Sequence, residues 1–474
     1  QWVALSAALV FGVHPVLSDA VDSVYNGSGI YVAIFVVGGL WYLLANYREK
    51  PRKAWLVAGA CYFVALLYKE SAVAMPALAV VVLWLTASEP WKQRVRAVLL
   101  ILPLAVYLGM RAQALEEFDS LAAQISLVPS AYAAEPEPAS APATPKNQPS
   151  PGLRQFGLTF DAGRGAIAVS MWFDALRLMV WPHPLATLRE VSQSPLWLAA
   201  LAQLGLLGLC LFALYRKRPE PLLGLLFFYL AILPASRIVG EGALPPQLMD
   251  RMLYLPSVGL AVCLAGLLAR LADRFRPRAG MALAAALVLA FVPVTWARNA
   301  DWANEIRLLE HDFAVSGQNG QLMHALVRAY AGKGERESSL DLCRERADLA
   351  LRFPTVANEC GEVFARAGRY QKAESFYLAS LSLNTRNAHT YFHLARLYVR
   401  MDRWRDAQDH FDLAIEREDV PYLREYMHGI KLMDLYPANP DRLDAARRHM
   451  QNALEIQPRA GEARAALEYL DGKR

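Results

Sequence analysis

"GIYVAIFVVGGLWYLLANYREKPRKAWLVAGACYFVALLYKESAV", Gly29 to Val73, decides the fold. An apolar run from Gly29 to Tyr47 meets a dense basic gap, YREKPRK (Tyr47 to Lys53), and a second run, Ala54 to Tyr68, stops at Lys69 and Glu70. Runs of this kind approach the roughly 20 apolar residues that a helix needs to cross a bilayer core, and flanking Lys and Arg side chains reach the interface. A membrane therefore explains the order of charge and hydrocarbon in this stretch.

The same alternation extends outward. The chain has 474 residues, of which 55% are hydrophobic and only 20% charged, with a mean hydropathy of +0.19. Candidate spans are Trp2 to Phe11, Gly29 to Tyr47, Ala54 to Tyr68, Ser71 to Ala87, Ala97 to Met110, Leu196 to Tyr215, Pro221 to Ser236, Met252 to Ala269 and Gly280 to Ala297. Beyond about residue 297 the sequence is charged and amphipathic, as expected of a water-soluble domain. The chain begins at Gln1, and WVALSAALVF is too short to span alone, so upstream sequence completing that helix is expected.

The net charge of +5 is small for this length and lies partly in membrane-flanking clusters, so no nucleic-acid partner is expected. Cys61, Cys210, Cys263, Cys343 and Cys360 are scattered without metal-ligand spacing, which predicts neither a disulfide framework nor a zinc site.

Basic gaps orient the spans. YREKPRK (Tyr47 to Lys53), KQRVR (Lys92 to Arg96), RKR (Arg216 to Arg218) and RFRPR (Arg274 to Arg278) occupy every second gap, so the excess of positive charge on cytoplasmic loops assigns them to the inside. The His14 to Ser28 loop, the Lys69-Glu70 turn, the segment from about Arg111 to Ser194, the Arg237 to Arg251 loop and everything after Arg298 then face outward. Within the long outer segment, AYAAEPEPASAPATPKNQPSP (Ala131 to Pro151) has too few large apolar residues to fold and reads as a mobile loop. SAYAAEP resembles a signal-peptidase site but lies far from the N-terminus, so cleavage there is not expected. GAIAVSMWFDALRLMVWPHP (Gly165 to Pro184) is apolar yet carries Asp174 and Arg177, and both its ends face outward; a re-entrant or interfacial helix is expected.

From about Gly320 a 34-residue period emerges. Setting Ala373 and Ala407 as equivalent aligns Gly361 with Ala395, Phe364 with Tyr398, Tyr377 with Phe411, and Ser380 with Ala414. These small and aromatic positions mark the helix pair of a tetratricopeptide repeat. A weaker unit precedes, with Leu326, Tyr330 and Cys343 in phase, and another follows, with Ala446, Met450, Ala453 and Pro458 in phase. GEARAALEYLDGKR is the expected cap. Such an array offers a concave face to a peptide.

The outer loops also carry ionisable groups: His14, Asp19 and Asp22, then Lys69 and Glu70, then His183 and Arg189, then Asp250 and Arg251. Taken singly, Lys69-Glu70 reads equally well as a solvated turn and Asp250-Arg251 as a local ion pair, and Asp22 and His183 read as structural. As a group on one membrane face they fit a phosphate-bearing substrate, cations holding the phosphate and a carboxylate accepting a hydroxyl proton or binding a metal.

HPVLSDAV, LLYKESAVAMPAL, YLAILPASRIV, DRMLYLPSVG and RNADWANEIRLL, in that order and followed by tetratricopeptide repeats, resemble the transmembrane and tetratricopeptide-repeat O-mannosyltransferase family and its bacterial relatives in the GT-C superfamily. The resemblance covers nearly the whole chain. It implies an inverting-type glycosyltransferase that moves a sugar from a polyprenyl-phosphate-linked donor to a protein hydroxyl on the non-cytoplasmic face. It places the catalytic acidic residue on Asp19, and the substrate-binding residues on His14, Lys69, Glu70, Asp250 and Arg251. It also implies an upstream outer loop carrying an acidic residue, and in the His-Pro loop an Arg and an acidic residue where this chain has Gly27 and Gly29. No metal ligands are assigned.

The expected fold is all-α: a polytopic membrane domain over residues 1–298, GT-C-like by that resemblance, a connector at 299–319 and a periplasmic tetratricopeptide solenoid over 320–474. The expected location is a bacterial inner membrane. Its partners are then a membrane lipid-linked sugar and, through the repeats, an exported acceptor or an envelope protein. The alternative is a catalytically degenerate, membrane-anchored scaffold for envelope assembly. A transporter ranks third, because no inverted repeat is evident and the polar groups gather at one face.

Overall fold

Apolar runs in this chain become helices, the form in which a segment satisfies its own backbone amides, as a crossing of hydrocarbon would require. The computed structural model describes residues 2–22, 27–86, 96, 98–125, 162–190, 195–236, 247–317 and 319–472. Its contacts divide the chain into two units, Gln1–Glu117 with Ala143–Gly317, and Phe118–Pro142 with Gln318–Arg474. The Ala131 to Pro151 tract and the SAYAAEP stretch that resembles a signal-peptidase site lie outside the described residues.

The described helices of the first part of the chain are α1 (Trp2–Gly12), α2 (Ser18–Asp22), α3 (Ser28–Asn46), α4 (Pro51–Tyr68), α5 (Met75–Thr86), α6 (Ile101–Ile125), α7 (Ala162–Val180), α8 (Leu196–Tyr215), α9 (Glu220–Ile232), α10 (Tyr254–Arg274), α11 (Pro277–Trp302) and α12 (Glu305–Ser316). Two-residue strands β1 (Arg189–Glu190) and β2 (Gln247–Leu248) pair antiparallel, Arg189 opposite Leu248. Proline starts several helices at positions where its missing N–H costs nothing, as at Pro51 and Pro277.

The basic gap works as a hairpin. Tyr47 N–H donates to Leu43 O (2.9 Å) and Lys50 N–H to Asn46 O (3.0 Å), closing α3 before Pro51 opens α4. Val32, Val36, Leu40 and Leu43 then pack on Tyr62 and on Ala54, Ala58 and Ala65, and the three alanines let the helices approach closely. The tightest crossing is between α9 and α10. A Cβ on Gly224 or on Gly259 would stand 2.3 Å from the other's carbonyl oxygen, so only glycine fits at either place.

Among the described residues, four helical segments are long and apolar enough to cross a membrane: Ser28–Asn46, Leu196–Tyr215, Asp250–Arg274 and Pro277–Trp302. Trp2–Gly12 with Pro15–Asp22 makes a fifth if that pair, bent by 56°, is one span. Ser71–Leu85, Val98–Gln113 and Glu220–Ser236 are shorter apolar helices, and α4 belongs to neither group. The sequence alone drew nine spans; the structure divides those runs by length and apolarity. Outward-facing Trp197, Leu201 and Leu204 on α8, and Leu289 and Trp296 on α11, form apolar surface suited to lipid. The apolar segment beginning at Gly165 is one helix, α7, whose Met171, Ala175, Leu178 and Met179 pack with Val16, Phe228, Ile232 and Leu253.

The stretch drawn as a connector, 299–319, is mostly helical. α11 continues to Trp302, and Asn304 accepts from Ile306 N–H (2.9 Å) to start α12, which belongs to the first unit. An apolar-run criterion stops where charge begins, at Arg298, whereas the helix itself runs on because its charged residues find partners inside.

The second unit is a row of helix pairs: α13 (Gly320–Lys333), α14 (Arg336–Glu345), α15 (Ala347–Ala350), α16 (Pro354–Arg366), α17 (Tyr370–Leu383), α18 (Ala388–Arg400), α19 (Trp404–Arg417), α20 (Pro421–Leu435), α21 (Pro440–Ile456) and α22 (Gly461–Gly472). The repeat register places small residues where helices meet. Ala373, Ala407 and Ala414 are fully buried, and a Cβ at Gly361 would lie 2.6 Å from the Tyr377 ring. Ser380 Oγ donates to Pro354 O (2.8 Å), tying the second helix of a pair to the start of the first. The architecture is all-α, ending in a tetratricopeptide solenoid, with Ala463 and Leu470 of α22 covering its last pair.

One sequence expectation is corrected here. Cys343 of α14 and Cys360 of α16 form a disulfide. Seventeen residues of separation give no hint of the pairing; it arises because adjacent repeats turn the two buried positions toward each other. Cys61, Cys210 and Cys263 are free thiols.

Candidate functional site

Pro15 fixes the chain after His14 and opens a short 3-10 turn, Pro15–Leu17, which runs into α2. His14 Nδ1 accepts from Val16 N–H (3.3 Å), so Nε2 is the donor to Met179 O at 2.9 Å. The ring meets Phe291 edge-on, at 4.6 Å between centroids. The imidazole thus joins the His-Pro turn to the end of α7 and to α11, which is a positioning role.

Asp19, in the first turn of α2, is buried, and its Oδ2 accepts the backbone N–H of Arg251 at 2.9 Å. It thereby caps the 3-10 turn Asp250–Leu253 at the head of α10. Asp250 is buried beside it. Its Oδ1 receives Arg189 Nη2 at 3.0 Å, and its Oδ2 accepts from Ala186 N–H at 3.1 Å. Arg189 also donates to Pro184 O (3.0 Å), which leaves its Nε buried without a hydrogen-bond partner. Of the residues nominated from sequence, Asp19, Asp250 and Arg251 therefore meet, although 232 positions separate Asp19 from Arg251. Gly29 packs under them: a Cβ there would sit 3.7 Å from Arg251 O.

Lys69 and Glu70 occupy a different turn. Lys69 N–H donates to Ala65 O (3.1 Å) and closes α4 in an extended conformation, and Glu70 begins the 3-10 turn Glu70–Ala74. The side chain of Glu70 lies outside the described residues. Ala72 and Ala74 of that turn share a core cluster with Leu255, four positions beyond Arg251, so the two motifs border one apolar core.

A second buried charge cluster was not visible from sequence. Asp312 of α12 is fully buried, takes Arg298 Nη1 at 2.9 Å on Oδ1, and accepts from the Thr187 N–H (2.9 Å) and hydroxyl on Oδ2. Ser316 Oγ donates to Leu188 O at 2.8 Å. The segment from Pro184 to Arg189 is consequently held by Asp250 on one side and Asp312 on the other. Arg298 and Asp301, three apart on an otherwise apolar helix and 3.7 Å from each other, were the sequence signal available. The carbonyl of His183 accepts from Arg177 Nη1 (3.4 Å), and Asp174 is buried within α7. Among the described residues no group of three or more His, Cys, Asp or Glu side chains could hold a metal ion.

The repeat unit offers a second surface. The first helices of successive pairs are linked by His324 Nε2 to Glu359 (3.6 Å) and Arg396 Nε to Asp434 (3.0 Å). His393 lies half-buried between them, stacked on Tyr377 at 6.1 Å. Burial pushes its pKa below the usual 6.5, with Glu362 opposing and His389 and Arg396 reinforcing that shift. Burial likewise raises the carboxyl of Asp434 above its ordinary range, against the pull of Arg396.

No protein-family model matches the chain, and no curated protein matches it. Among solved structures it is similar to the MamA protein (16% identity, 34% of this chain and 86% of that one, TM-score 0.27). It is also similar to Pseudomonas aeruginosa PilF (12% identity, 58% and 99% covered, TM-score 0.29). A third is the APC/C Cut9-Hcn1 assembly (13% identity, 94% and 90% covered, TM-score 0.23). At such scores the repeat assignment rests on the chain's own helix pairs.

Proposed function

We propose that the chain is a membrane glycosyltransferase. It takes a sugar from a polyprenyl-phosphate-linked donor and transfers it to a protein hydroxyl on the non-cytoplasmic face of a bacterial inner membrane, while the repeats hold the acceptor or an envelope partner. The observation that carries this reading is the meeting of Asp19 with Asp250 and Arg251 from opposite ends of the membrane-type unit. In this scheme Asp19 takes the acceptor proton, Lys69 and Arg251 hold the donor phosphate through charge-assisted bonds as it leaves, and Glu70 orients Lys69 or the acceptor. His14 and Asp250 fix the frame. The Cys343–Cys360 disulfide fits an oxidising compartment for the repeats, the side to which the basic loops also assign them.

A second reading, a catalytically degenerate scaffold, has its own support. Asp19 and Asp250 already accept backbone N–H groups, and Gly27 and Gly29 stand where the resembled family carries an Arg and an acid. Asp19→Asn separates the two, because the amide keeps an oxygen for Arg251 N–H and loses only the charge. With purified full-length protein, labelled lipid-linked sugars and candidate acceptors, transfer should fall at least about 100-fold at an unchanged melting temperature. Lys69→Ala with Arg251→Ala should weaken donor binding; unchanged binding sinks the phosphate role. If the wild-type chain transfers nothing from any donor yet retains partners through its repeats, the scaffold reading takes over.

A further inference from the structure

One face of α4 carries Arg52, Trp55, Leu56 and Gly59 at helical spacing, and across from it stand Arg96, Leu102 and Pro103. Between these walls runs a groove of about 570 Å³. Arg52 and Gly59 are seven residues apart, so it extends about 10 Å along the helix. It closes where a Cβ on Gly59 would touch Pro103 at 3.7 Å. Trp55 is buried, whereas Leu56 and Leu102 are exposed, giving a long apolar slot open to lipid. Among the described residues only the two arginines break its apolar lining. Among the described residues neither guanidinium has a hydrogen-bond or ion-pair partner.

We propose that this groove binds an anionic glycerophospholipid, Arg52 and Arg96 taking the phosphodiester and the apolar slot one acyl chain. The inference rests on membrane insertion of the unit, independently of any sugar transfer. Two unpaired guanidinium groups beside hydrocarbon are costly, and a phosphodiester matches their planar donors bidentately while offsetting their charge. A zwitterionic headgroup would bring its ammonium toward the same two cations. The groove is also remote from the candidate catalytic residues. Its charged end at Arg52 lies at the start of α4 and Lys69 follows the helix end, about 25 Å away along the helix, while its closed end at Gly59 is about 15 Å from Lys69.

Native mass spectrometry of the full-length protein in detergent, titrated with dioleoylphosphatidylglycerol or dioleoylphosphatidylcholine, reads the preference directly. The anionic lipid should bind about 30-fold tighter, the scale expected of two interfacial cations. Arg52→Gln with Arg96→Gln should bring that ratio near one. Gly59→Leu, which fills the closed end and keeps both charges, should weaken both lipids. Equal binding of the two lipids by the wild-type protein overturns the proposal, as does a preference that survives the double substitution. Competition completes the test: displacement by inorganic phosphate would leave no role for the acyl slot, and undecaprenyl phosphate winning by more than about tenfold would assign the groove to a phosphomonoester instead; either result refutes it.

Discussion

The two units of this chain place charge oppositely. In the first, Asp19, Asp250, Arg189, Arg298 and Asp312 are inside, and Trp197, Leu289 and Trp296 are outside. In the second, Ala373, Leu394 and Phe411 are inside, and pairs such as Arg344–Asp341 and Arg447–Asp471 lie at the surface. The difference teaches what each surrounding tolerates. Hydrocarbon accepts exposed Leu and Trp but forces ionic groups inward, where each needs a partner, whereas water accepts the charges and drives the apolar groups in.

The sharpest way to break the comparison is to orphan an interior charge. Asp250→Ala strips Arg189 of its counter-ion and Ala186 N–H of its acceptor, and should cost about 3–5 kcal/mol, read as a large fall in melting temperature or as failure to fold. Asp250→Asn keeps one acceptor and should cost visibly less. A neutral outcome for the alanine variant would mean that the cluster is not held away from water.

Next in size is the disulfide, which belongs to the repeat unit alone. Cys343→Ser with Cys360→Ser should destabilise that unit by about 2–4 kcal/mol. Hydrogen exchange should rise in α14, α16 and α17 and stay unchanged in α9 and α10. Faster exchange across both units would show that they do not hold their stability separately.

How much of this was legible follows from how far apart the partners lie. The repeats could be read because Gly361 and Tyr377, or Ala373 and Ala407, fall in fixed local register, with a small residue facing an aromatic ring within one helix pair. The motifs around Asp19 and Asp250 lie on segments that meet in the fold, yet nothing in sequence says that Asp19 caps Arg251 or that Asp312 accepts from Thr187, 125 positions away. Such pairings are set by how helices cross. Arg298 and Asp301 illustrate the limit, since a charge after an apolar run reads as the end of a span when its partner cannot be seen.

Histidine gives a smaller handle on the repeat unit. Burial holds His393 below 6.5, so between its folded pKa and 6.5 the unfolded chain binds more protons than the folded one. Stability is therefore full above pH 6.5 and declines as pH falls through the folded value. His428 shifts in the same direction, mainly through burial and then the neighbouring His449. His393→Gln should flatten part of the loss measured by chemical denaturation across that window. A slope identical to wild type would mean that Glu362 and Glu359, which oppose the shift, dominate instead.

The smallest effect tests the comparison within the first unit itself. Arg218–Asp273 and Arg189–Asp250 are the same pair of chemical groups at similar distances, 3.3 and 3.0 Å. Their side chains differ in exposure, 44% and 64% against 9% and 3%. Where both partners are solvated, attraction is screened and the ordering of two long side chains offsets most of what remains, so Arg218→Ala should cost no more than about 1 kcal/mol. The same truncation at Arg189 leaves Asp250 buried without its counter-ion and should approach the loss seen in Asp250→Ala. If the two arginine variants melted alike, burial would not be what separates these pairs, and the contrast between an ionic interior and a solvated boundary would fail where the chemistry is most closely matched.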